Sequence, residues 1–129
     1  GYDGYDAYAR SKLANVLFAR ALARRLDPAR VTANALHPGV IATKLLRAGF
    51  GGGGRPVTQG ARTSVYVATE PALAGVTGRY FDDAREAPVG AEARDDALGE
   101  ALWKASVALV APAASAAALA WMRAAPRRR

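Results

Sequence analysis

The stretch YARSKLANVLFARALARRLDPARVTANALHPG, residues 8–39, holds a helix, a stop, a short apolar run and a turn in direct succession. From Tyr8 to Leu26 it is rich in Ala, Leu and Arg and free of Gly and Pro. Asp27 and Pro28 end the run, which predicts a helix over 8–26. VTANALH at 31–37 starts on β-branched residues and closes on Pro38 and Gly39, as a buried strand entering a turn would. The alternation continues downstream. Residues 45–56 read as a glycine-dominated loop, and Thr58 caps a helix to about Thr69, which Glu70 and Pro71 end. VTGRYFDD at 76–83 reads as a second strand, followed by a polar turn region through Ala93. Asp95 or Asp96 then opens a helix carrying Leu98, Leu102, Trp103 and Leu109. Helix, strand, helix, strand, helix predicts an α/β class, a portion of a parallel sheet with flanking helices.

The chain of 129 residues allows one domain at most, with a core of useful size. It opens on Gly1 without an initiator Met or a strand before the first helix, so an N-terminally incomplete chain is expected. Without cysteine there is no disulfide framework or thiolate site, and a single His cannot build a zinc site unaided, so no metal is expected. Cytoplasm is the default compartment. The net charge of +7 is scattered, with Arg127, Arg128 and Arg129 at the terminus, and makes no clustered stripe for nucleic acid. Residues 105–122 are uncharged and basic-flanked, like a tail anchor. Pro112, the serines and the weak partition of alanine argue against a membrane partner. The expected division is a catalytic portion at 1–110 and an Ala/Arg-rich tail at 111–129, disordered or helical.

At about 100° per residue, Tyr8, Lys12, Asn15, Ala19, Leu22 and Leu26 share one helix face within roughly 40°. The strand at 31–37 must pack on this helix, and ligand sites of open α/β sheets lie at the carboxyl ends of strands, here at Pro38 and Gly39. A free tyrosine, ionising near pH 10, is a weak base at neutrality; an ammonium one turn away favours its phenolate. Tyr8 beside Lys12 could thus exchange a proton with a substrate oxygen. The structural alternative is that Tyr8 caps the apolar face and Lys12 is a solvated charge.

YARSKLAN, VTANALHPGVIAT, GARTSVYVAT and GVTGRYF, in this order and spacing, resemble the short-chain dehydrogenase/reductase family, and within it the retinol-dehydrogenase-like branch. The resemblance covers about residues 6–110. It implies the C-terminal portion of a Rossmann-like fold in an oxidoreductase that interconverts an alcohol and a carbonyl on a small molecule with NAD or NADP. Tyr8 would be the general acid/base, and Lys12 would assist it while bonding the nicotinamide ribose. Pro38, Gly39 and Thr43 match the family's turn, with Ile41 where the backbone meets the carboxamide. The family's glycine-rich phosphate turn and catalytic serine have no match here, so the chain alone is expected to be inactive. A non-catalytic α/β interaction module of the same descent is the alternative.

Three residues or runs invite other readings. Gly49, Gly51 and Gly54 fit the dinucleotide spacing but follow no strand, so the run reads as a substrate lid or a linker. His37 reads as a strand-end residue satisfied by hydrogen bonds, and Ser11 as a structural helix serine. Opposite the Tyr8 face, Leu13, Leu17 and Ala21 form an apolar seam lined by Arg10, Arg20 and Arg24. A homodimer through the 8–26 helix would bury it, as would segments upstream of this chain within one subunit.

Overall fold

Asp3 sets the start of the first helix in the computed structural model, which describes the backbone of residues 1–124 and the side chains of residues 1–110. Its carboxylate accepts from the N–H groups of Tyr5 and Asp6 at 2.8 and 3.2 Å, capping α1 (Gly4–Ala23) a turn earlier than Tyr8. The helix ends before Leu26 because Arg25 N–H donates to Leu22 O at 2.9 Å, the tighter pattern of a closing turn.

Both strands are shorter than their apolar runs. β1 (Ala35–His37) pairs in parallel with β2 (Tyr80–Asp82), Leu36 facing Phe81, and β3 (Arg85–Glu86) adds an antiparallel edge to β2. Residues 33–34 and 76–79 flank the ladder, where side chains bond the opposite backbone alongside the main-chain bonds from Gly78 N–H to Ala33 O at 2.8 Å and from Ala35 N–H to Arg79 O at 2.9 Å. The Asn34 amide donates to Val76 O at 2.8 Å and accepts from Arg79 N–H at 2.9 Å, while the Thr77 hydroxyl accepts from Ala33 N–H at 3.0 Å. These side chains extend the pairing beyond the three strand residues. The β3 strand lies inside the stretch read as a polar turn. Its hairpin holds Asp83 and Ala84 at φ +48 and +57, the twist that suits a two-residue connection, and Ala84 N–H donates to the buried Thr63 hydroxyl at 3.1 Å.

Three helical segments join the strands. Thr43 caps α2 (Lys44–Phe50), so the first half of the predicted glycine loop is helical. The next helix starts at Val57, with Pro56 rather than Thr58 at its cap, and Ala61 divides it into α3 (Val57–Gly60) and α4 (Arg62–Thr69). Glu70 and Pro71 end it as the sequence predicts. The core behind β2 is Phe81, 1% exposed, with the Tyr66 ring of α4 edge-on at 6.3 Å.

The last helix, α5 (Asp96–Ala124), opens with the Asp95 carboxylate accepting from Leu98 N–H at 3.0 Å and lies along α1. It fills the seam predicted on α1: Leu17 and Ala21 are buried, and Gly99 sits against Leu17. Burying a leucine contributes about 1.5–3 kcal/mol. At Leu17 and Ala21 the cover thus comes from α5 of the same chain, while Leu13 lies outside this contact. Arg24 bonds Asp96 at 2.7 Å, and Arg25 grips both Glu100 oxygens at 3.0 and 2.6 Å in a bidentate fork. The Arg25 guanidinium also lies 4.3 Å from the centre of the Trp103 ring, which stacks on Phe18. The chain positions 125–129 and the side chains from 111 onward, which include most of the predicted tail, fall outside the described residues.

Arg25, then Arg24, holds the Glu100 carboxyl at about 2 against its ordinary 4.5. A carboxyl depressed in the folded state contributes stability in full above about 4.5 and loses it as pH falls toward 2. Between pH 5 and pH 3 the parent's denaturation midpoint should therefore fall more than that of Glu100→Gln. Trp103 fluorescence in a Trp121→Phe background reports the change, and equal slopes would show that the α1–α5 ion pairs do not depress Glu100.

Candidate active site

One open groove of about 760 Å³ runs between α1 and β1. Tyr8, Lys12, Asn15 and Val16 line it from the helix, His37, Pro38 and Gly39 from the strand exit, and Tyr80, Pro88 and Val89 close it beyond β2. The helix contributes these residues because three- and four-residue spacings fall on one face. The strand contributes its exit because β1 ends at His37 and Gly39 turns the chain at φ +90. Tyr8, Lys12, Pro38 and Gly39 are thus brought together at the carboxyl end of a parallel strand.

Within the groove Tyr8 is held on two sides. The Lys12 ammonium lies 4.9 Å from the centre of its ring, over the face, and the Phe50 ring meets it at 5.6 Å and a 62° tilt. Phe50 also reaches Tyr5 at 6.5 Å. Tyr8 remains 40% exposed, and Lys12 has no carboxylate partner among the described residues, so a phenol and an ammonium both face the groove. Ser11 donates to Tyr8 O at 2.6 Å, a helical back-bond. His37 is exposed at the groove's rim, and its ring has no hydrogen-bond partner among the described residues, contrary to the satisfied strand-end expected.

Ile41 and Thr43 are not in the groove's lining. Ile41 bridges to Arg55, with Arg55 N–H donating to Val40 O at 2.8 Å and Ala42 N–H to Arg55 O at 2.9 Å. The Thr43 hydroxyl accepts from Leu46 N–H at 3.3 Å and starts α2. Segment 40–55 is thus a loop closed at its base. Gly51 to Gly54 take φ between +79 and +99 to bring the chain back, a conformation costly for any residue with a side chain. Gly49 lies inside α2 and Gly51 ends it, so the dinucleotide spacing has a helix before it and not a strand.

Phe50, Asn34, Tyr80 and Val89 were not singled out from the sequence as site residues. Phe50 had one legible signal, since Thr43 followed by Leu45, Leu46 and Phe50 has the cap and spacing of a short amphipathic helix. Tyr80 and Val89 had none, because their place follows from the β2–β3 hairpin.

Residues 1–69 match the family described as enoyl-(acyl carrier protein) reductase. The chain is 40% identical to human retinol dehydrogenase 14 over 126 residues, covering 84% of this chain and 36% of the relative. It is equally 40% identical to the Brassica napus short-chain dehydrogenase TIC 32 B, chloroplastic, over 84% of this chain and 38% of that one. Mouse retinol dehydrogenase 13 is also 40% identical, with 84% and 37% covered. The chain spans little more than a third of the length of these relatives. No helix among the described residues is long and apolar enough to cross a membrane.

The closed loop makes two neighbouring glycines unequal. A Cβ on Gly54 would stand 2.8 Å from Ala42 N and 2.9 Å from the Ile41 carbonyl carbon, whereas one on Gly53 would meet nothing within 4 Å, both at positive φ. Each alanine carries a backbone penalty of about 1–3 kcal/mol, and only Gly54→Ala adds a main-chain clash. Gly54→Ala should lower the chemical-denaturation midpoint clearly more than Gly53→Ala; equal losses would mean that the loop's base is not closed as described.

Proposed function

Since this chain belongs to the short-chain dehydrogenase/reductase family, we propose that the intact protein is an NAD- or NADP-dependent oxidoreductase interconverting an alcohol and a carbonyl, with Tyr8 as general acid/base and Lys12 as its assistant. The observation that carries this reading is the meeting of Tyr8, Lys12 and the Pro38–Gly39 exit in one groove. When bound, the nicotinamide supplies the acceptor or donor of hydride. In oxidation, Tyr8 Oη takes the hydroxyl proton as the C–H pair leaves the same carbon and the C=O bond forms. In reduction the phenol returns that proton to the carbonyl oxygen.

The residues present suit the nicotinamide end of such a cofactor. Lys12, without a carboxylate partner among the described residues, lines the groove and can donate to ribose hydroxyls. Gly39, at φ +90, lets the chain turn without a side chain beside the ring. The Thr43 oxygen is taken by the helix cap, but its hydrogen is left to donate. Phe50 packs on the Tyr8 ring at 5.6 Å and braces it from α2.

In the intact protein, Tyr8→Phe should lower turnover by about two to four orders of magnitude with NADH or NADPH affinity nearly unchanged, since it removes only the proton carrier. Lys12→Ala should weaken both turnover and cofactor binding. Steady-state rates with an alcohol series and fluorescence titration of the reduced cofactor measure the two effects. Parental turnover in Tyr8→Phe would overturn the assignment.

A further inference from the structure

On the far side of Tyr80, Pro88 and Val89 from the Tyr8 groove lies a smaller pocket of about 160 Å³, lined also by Arg20, Arg79, Arg94 and Glu86. Arg20 stands twelve residues after Tyr8 on α1, about 18 Å along the helix axis. Its guanidinium is poorly supplied with acceptors. It reaches Gly78 O and Asp96 Oδ1 only at 3.4 Å each, because Arg24 holds that Asp96 oxygen at 2.7 Å. The Arg20 Nε–H is buried without a hydrogen-bond partner among the described residues. A buried charged donor left unmade is costly, so the position is destabilising unless something supplies an acceptor.

The rest of the pocket has the same sign. Arg94 forms no ion pair among the described residues. Arg79 neutralises Glu86, the one carboxylate in the lining, at 3.3 Å. Arg94 without an ion pair among the described residues and Arg20 with one long contact to Asp96 at 3.4 Å therefore face a space of about 160 Å³, ample for a small tetrahedral or planar oxyanion. Burial, then Asp82, raises the Tyr80 phenol, so it stays protonated as a further donor in the same wall. Val16, Pro88 and Val89 supply apolar walls, where a charged hydrogen bond is stronger than in open water.

We propose that this pocket binds a small oxyanion, a phosphate or carboxylate group, through the forks of Arg20 and Arg94, separately from the Tyr8 groove. The chemistry is that of bidentate recognition, in which a planar guanidinium meets two oxygens of one anion. The site does not depend on the oxidoreductase reading, since neither Tyr8 nor Lys12 lines it.

Isothermal titration of the intact protein with inorganic phosphate and with acetate, at constant ionic strength, tests the assignment. Saturable binding of one anion per chain is expected, and Arg20→Gln or Arg94→Gln should weaken it by about tenfold or more, the loss of one charged hydrogen-bonding group. Arg10→Gln, which removes an exposed cation paired with Asp6 at 2.9 Å, should leave it unchanged. Tighter phosphate assigns a phosphoryl ligand and tighter acetate a carboxylate. Arg94→Gln carries the test if Arg20→Gln fails to fold. No saturable binding, or equal affinity in all three variants, would overturn the proposal, the latter by showing attraction to net charge alone.

Discussion

The register between residues 33–37 and 77–82 is clasped by two side chains beside the main-chain bonds from Gly78 N–H to Ala33 O and from Ala35 N–H to Arg79 O. Three main-chain pairs are few for a parallel ladder, and the Asn34 amide and Thr77 hydroxyl extend it by bonding the opposite backbone at 2.8–3.0 Å. Because parallel register decides which residue lies opposite which, this clasp sets where β1 ends and where Pro38 and Gly39 leave the sheet. A slip by one residue would put Leu36 on the opposite face and aim the exit away from Tyr8. The position of the candidate site is therefore set in part by the Asn34 amide, which also lines the groove.

The first helix answers to two neighbours at once. One face meets α5 through Leu17, Ala21 and the arginine–carboxylate layer; the next presents Tyr8, Lys12, Asn15 and Val16 to the groove. Rotating the helix to improve either contact would spoil the other. Its orientation is thus shared between the buried Leu17 and Ala21, with the ion pairs to Asp96 and Glu100 beside them, and the groove that Tyr8 lines.

The helices and their order were legible because Ala- and Leu-rich runs ending at Pro are strong local signals, as from Tyr8 to Leu26. The groove's helix face was legible too, since spacing alone puts Tyr8, Lys12 and Asn15 together. What was not legible came from contacts between distant segments. The strand limits depended on Asn34 meeting Val76, and the β3 edge on Asp83 and Ala84 accepting positive φ with Thr63 beneath them. The cover over Leu17 came from α5, which the seam's own sequence could not distinguish from a second copy. In the glycine run, composition read as slack, whereas four successive positive φ values give one shape.

The α1–α5 contact joins residues 72 to 76 positions apart, which makes timing a property of the fold. Contacts of long sequence separation form late. On a ribosome adding about 5–20 residues per second, roughly 4–15 s pass between the synthesis of α1 and that of its cover. During that interval the nascent chain carries a formed or forming helix whose leucine stripe and arginines face water, available to any holdase that recognises apolar and basic segments. The sheet can pair before α5 exists, but α1 cannot take its final angle until Asp96 and Glu100 have emerged. Folding is therefore completed by a helix rather than by the sheet, and a pause in translation between residues 83 and 96 would lengthen the most exposed stage of the molecule's synthesis.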